Sequence, residues 1–138
     1  MRRSVLFTVF IGIFMVLSSC SEQSSNQWEL SSPSGELKLS VRLTESGEIW
    51  YHLKNGERSV IEESPMGMEF YEASFVSDLS MISETEYLNR KDNYTLFTGK
   101  RVENQISWNE KQLKFSNEQQ QEMLISFRLF DDGLAFQY

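Results

Sequence analysis

The chain has 138 residues, with 20 acidic against 13 basic side chains and a net charge of −7. A nucleic-acid binder needs a basic footprint, so this balance excludes that class of partner. With one cysteine, Cys20, and one histidine, His52, it excludes an intrachain disulfide and a metal centre built from those two residue types.

Arg2 and Arg3 open the chain, and Val5 to Leu17 follow as thirteen uncharged residues, "VLFTVFIGIFMVL". A membrane-spanning helix needs roughly 18 or more, whereas the apolar core of a secretory signal takes about 7–15. Ser18 and Ser19 supply the small residues that cleavage requires. The stretch "LSSC", Leu17 to Cys20, resembles the lipobox of bacterial lipoproteins, in which the cysteine thiol takes up a diacylglycerol and becomes the new N-terminus. Two or more acyl chains make a stable anchor where one is marginal. The expected organisation is therefore a signal peptide over 1–19, lipidation at Cys20 and a polar tether over 20–27. The expected location is the bacterial cell envelope, lipid-anchored at its outer membrane or periplasmic face. Residues 20–138 number 119, enough for one small domain, with 11 basic against 20 acidic side chains.

From Trp28 onward the apolar residues recur with period two. A short strand around Trp28 to Ser31 precedes the turn cluster "SPSG". "ELKLSVRL", Glu36 to Leu43, puts Leu37, Leu39, Val41 and Leu43 on one face, the pattern of a half-buried strand. "ESGE" turns the chain back. "IWYHLK" sets Ile49, Tyr51 and Leu53 against Trp50, His52 and Lys54. Asn55-Gly56 is a strong hairpin signal, with "RSVIE" as the returning strand.

Residues 74–88 fit either a strand or an irregular segment. "YTLFTGK", Tyr94 to Lys100, reads as a strand and turn. "QISW" and "QLKFS" flank a turn-like "NEK" at Asn109 to Lys111, and "NEQQQE" is a polar turn. "MLISFRLF", Met123 to Phe130, is apolar on both faces and predicts a central strand. "DDG", Asp131 to Gly133, predicts a tight turn before "LAFQY". No amphipathic helix of ten or more residues follows the signal. The fold class expected is all-β, an antiparallel β-sandwich over 28–138. The alternation still runs at Tyr138, which leads us to expect the front of a longer protein.

The order of these pieces resembles the N-terminal domain of glycoside hydrolase family 97, bacterial α-glucosidases and α-galactosidases. "LSSPSGELKLSVRL" looks like that domain's opening strand. "GEIWYHLKNGERSVIEESPMGMEF" is similar to its hairpin with a P-x-G segment after it. "YTLFTGKRVENQISWNE" resembles its G-K-R to Y-N-E stretch, with Trp108 at an aromatic position. "ISFRLFDDGLAFQY" is close to its strand-turn-strand with a D-G-x-A-F-R-Y core.

The resemblance implies a larger super-sandwich, then a β/α barrel that bears the active site. It implies an α-linked oligosaccharide as the substrate of the parent enzyme, and calcium held by glutamates in the inverting members. All those catalytic and calcium-binding carboxylates fall downstream of Tyr138. No catalytic residue, metal ligand or cofactor is therefore assigned to this chain, and the barrel becomes a partner rather than a part.

Glycoside hydrolysis needs two carboxyl groups converging on one bond. Glu62-Glu63 and Asp131-Asp132 are adjacent pairs, and neighbours on a strand point to opposite faces. Asp131-Asp132-Gly133 is in any case a turn by chemistry. Trp50, His52 and Trp108 are candidate carbohydrate contacts, since aromatic rings serve as platforms for pyranose faces. The alternatives for this chain are a small sugar-binding lipoprotein and a non-functional remnant.

Overall fold

The computed structural model describes residues 26–98 and 103–138. The expected signal segment, Cys20, nearly all of the expected tether and residues 99–102, with the end of the strand and turn expected over Tyr94 to Lys100, lie outside the described residues. Alternating burial shows how the chain folds. β1 (Gln27–Ser31) buries Trp28 and Leu30, so Gln27 belongs to the strand rather than to the tether. β2 (Leu37–Leu43) buries Leu37, Leu39 and Val41. β3 (Ile49–Asn55) buries Ile49 and Leu53. β4 (Arg58–Met66) completes an antiparallel sheet of order β1-β2-β3-β4. β4 lies at the edge, carries Pro65 and slips register twice against β3, as edge strands tolerate.

The second sheet is built on one long strand, β7 (Glu103–Ser116). Its C-terminal part pairs β5 (Ser80–Glu84) on one side and β8 (Glu122–Leu129) on the other, and β8 pairs β9 (Leu134–Gln137). Its N-terminal part pairs β6 (Leu88–Thr95), every residue of which is exposed. Residues 103–108 have no partner on β8, so β6 and this part of β7 form a two-stranded arm beyond the layered body.

The two sheets share one core. Leu39, Val41 and Ile49 from the first meet Leu113, Phe115, Ile125 and Phe127 from the second. Trp28 stands edge-on to Phe115 across the layers, with ring centroids 5.9 Å apart. The described residues are all-β with two antiparallel sheets, a β-sandwich as expected.

Four local expectations need correction. The hairpin after β3 is centred on Gly56 and Glu57: Asn55 stays in register opposite Arg58, and Gly56 alone takes the left-handed φ of 55°. The strand expected at Tyr94 begins earlier, at Leu88, and ends at Thr95. Asn109 to Lys111 is no turn but the middle of β7, where Asn109 bonds the Ser31 carbonyl, Glu110 pairs with Arg128 and Lys111 with Glu84. β8 is central but apolar on one face only. Met123, Ile125, Phe127 and Leu129 point inward while Leu124 and Arg128 face out.

The other turns fall where the sequence put them. In the β2–β3 turn Gly47 has a φ of 71°, and a Cβ there would lie 2.3 Å from the Leu79 backbone nitrogen. Glycine thus lets the 75–79 segment lie against this turn, where Asp78 N–H donates to the Ser46 carbonyl at 2.9 Å.

Candidate functional site

Burial of one face of β2 and β3 forces their alternate residues outward. In register, Arg42 lies opposite Trp50, Ser40 opposite His52 and Lys38 opposite Lys54. These side chains, together with Glu29 and Glu57, line an open groove of about 430 Å³ on the outer face of the first sheet. At one end the Arg42 guanidinium lies 5.6 Å from the Trp50 ring centre and pairs with Glu63 at 2.9 Å. The Trp50 indole N–H donates a long 3.4 Å bond to Glu48. The hydrogen bond and charge of Arg42 hold the Glu63 carboxyl below the ordinary glutamate range. His52 Nε2 is 3.0 Å from the Ser59 hydroxyl, which fixes the ring within the sheet face.

Trp50 and His52 therefore share one surface. Trp108 does not join them. It projects from β7 on the second sheet, 5.7 Å from the Phe130 ring and 5.6 Å from the Arg128 guanidinium. Its indole N–H donates to Glu110 at 3.3 Å, and Arg128 Nε donates to the same carboxylate at 2.9 Å. Each sheet thus carries a Trp-Arg-Glu cluster on its own outer face. One ligand cannot bridge faces that point in opposite directions.

The adjacent carboxylates do not converge. Glu63 is held by Arg42, while Glu62 offers its backbone carbonyl to the Ser64 hydroxyl. Asp131 accepts the Ser34 backbone N–H at 2.8 Å, and Phe130 N–H closes the turn on the Gly133 carbonyl. This bond ties the β8–β9 turn to the β1–β2 turn of the other sheet, a link that "DDG" alone did not reveal. Among the described residues no three acidic, histidine or cysteine side chains gather closely enough to hold a metal ion.

The Asp131 link has a pH signature. The Ser34 backbone N–H, foremost among its partners, lowers the Asp131 carboxyl below the ordinary aspartate range. A carboxyl depressed in the folded state adds stability above its unfolded pKa and loses it as pH falls through the folded value. Chemical denaturation at successive pH values below about 4 should show stability falling. Asp131→Asn should flatten part of that slope, leaving the Glu63 share. An unchanged slope in the variant would mean the link is not formed in solution.

The described residues form a two-sheet β-sandwich with an open polar groove on the outer face of the first sheet. The family model for the glycosyl-hydrolase 97 N-terminal domain matches residues 30–138, and the chain belongs to that family. A crystal structure of a β-arabinopyranosidase superimposes with a TM-score of 0.73 at 23% identity, over 79% of this chain and 17% of that one. Glycoside hydrolase family 97 enzymes from Pseudoalteromonas sp. strain K8 superimpose over the same shares at 24% identity. Their TM-scores are 0.67 for the complex with panose and 0.68 for the complex with acarbose. At these identities the likeness speaks for the fold. The chain spans 17% of the length of each of these enzymes. No curated protein matches it.

Proposed function

We propose that this chain is the leading sandwich of an envelope glycoside hydrolase acting on α-linked glucosides or galactosides. The match of the family model across residues 30–138 carries the reading. The panose and acarbose complexes of related enzymes favour an α-linked glucan, while a similar sandwich also occurs in an enzyme named for another sugar, the β-arabinopyranosidase. In this reading the sandwich extends into a larger one and buttresses a barrel outside the chain, where paired carboxyls perform the acid–base chemistry. Calcium, where used, belongs to that barrel. Cys20 carries the lipid that holds the enzyme at the membrane.

Two measurements test this. The purified chain should not hydrolyse nitrophenyl α-glucoside or α-galactoside, and turnover by it would overturn the reading. An immunoblot of the native membrane fraction, with serum against residues 28–138, should show a band several times heavier than 16.2 kDa. Cys20→Ser should move that band to the soluble fraction.

A second reading rests on the groove itself. Trp50 and His52, brought to one open polar surface, suit a bound oligosaccharide held away from any catalytic centre.

A further inference from the structure

Lys38 and Lys54 sit directly opposite one another on β2 and β3. Like charges in that relation repel and weaken the sheet. Both side chains are exposed, and neither joins an ion pair or side-chain hydrogen bond among the described residues. On the other sheet, by contrast, Lys111 and Lys114 are each paired with a glutamate, Glu84 and Glu122. The chain as a whole is strongly acidic, so carboxylates to quench the two lysines are plentiful. Within the groove, however, Glu63 is already taken by Arg42, and neither Glu29 nor Glu57 forms an ion pair with either lysine.

The result is a cationic seam down the centre of an otherwise polar groove. Ser40 and His52 form the next cross-strand pair along it, and Trp50 with Arg42 closes its end. From Trp50 to Lys54 the strand advances about 13 Å, room for a short oligosaccharide.

We infer that this groove binds an oligosaccharide bearing an acidic group, with its carboxylate or sulfate seated between Lys38 and Lys54. The inference rests on the sugar-binding reading of this face and adds the charge class of the ligand. The sugar ring lies toward Trp50, its hydroxyls toward Ser40 and His52. Neither lysine belongs to catalytic machinery, so their role is one of binding alone.

Calorimetric titration of the full chain in mild detergent tests it, with trigalacturonate, a sulfated trisaccharide and neutral maltotriose as probes. At least one acidic probe should bind ten times more tightly than maltotriose, and which one does identifies the acid. Raising salt from about 50 to 500 mM should weaken that binding severalfold, as for an exposed charge contact. Lys38→Gln/Lys54→Gln should abolish the preference for the acid yet melt no lower than the parent, because a repulsion has been removed.

Equal binding of all three probes, or unchanged acid binding by the double variant, would overturn the acidic assignment and leave the sugar-binding reading standing. Binding of none would end both.

Discussion

Phe115→Ala is expected to lower the free energy of unfolding by about 3–5 kcal/mol, the range for truncating a buried aromatic ring. Phe115 has no exposed surface and lies on the inner face of β7, the strand on which the second sheet is built. It stands opposite Met123 of β8 and Met81 of β5, and meets Trp28 of the first sheet edge-on at 5.9 Å. Its loss therefore opens a cavity between layers rather than at a margin, where the neighbouring strands cannot collapse to fill it. Domains of this size are stable by only about 5–15 kcal/mol, so the variant should lose from about a fifth to nearly all of that stability. Urea denaturation followed by circular dichroism would show the midpoint fall. Phe115→Leu should fall much less, because leucine refills part of the space. A Phe115→Ala midpoint within error of the parent would mean the sheets are not packed through this ring.

The sequence shows such a core wherever one face of a strand is buried and the other wet. Leu37, Leu39 and Val41 on β2, and Ile49 and Leu53 on β3, announce themselves by alternation alone. So does the grouping of Trp50, His52 and Lys54 on one surface, because the period of two fixes which residues share a face. What alternation cannot carry is the pairing of sheets. Nothing local says that Trp108 belongs to a different layer from Trp50, or that Asp131 will reach Ser34 across 97 positions. The apolar run Met123 to Phe130 misled for a related reason: Leu124 is apolar but sits on the solvent face of β8, 43% exposed. The Asn55-Gly56 pair gave the right hairpin with a shifted centre, since glycine alone supplies the left-handed backbone angle needed.

Asn109 shows the same limit most sharply, and it carries the second large effect. In sequence, Asn-Glu-Lys between two apolar runs has the chemistry of a turn. In the structure Asn109 is completely buried in mid-strand. Its amide donates to the Ser31 carbonyl at the end of β1, at 2.7 Å, and its side-chain oxygen accepts from the Asn89 amide on β6, also at 2.7 Å. One side chain thus joins the first sheet, the long strand and the root of the projecting arm. Replacing it with alanine removes both bonds and leaves the Ser31 carbonyl and the Asn89 amide to find new partners. With water free to serve the exposed Asn89 amide, the main cost is the unsatisfied Ser31 carbonyl and the lost packing of a buried side chain, so Asn109→Ala should cost about 1–3 kcal/mol. The loss should be uneven in space. Amide hydrogen exchange should quicken first along β6 and residues 103–108 of β7, which have no other strand beside them. Asn89→Ala removes only the bond on the exposed side, where water can replace it, and should cost less than half as much. If the two variants proved equally damaging, the link to Ser31 would contribute nothing, and apolar packing with the Asp131 and Asp78 contacts would hold the two sheets.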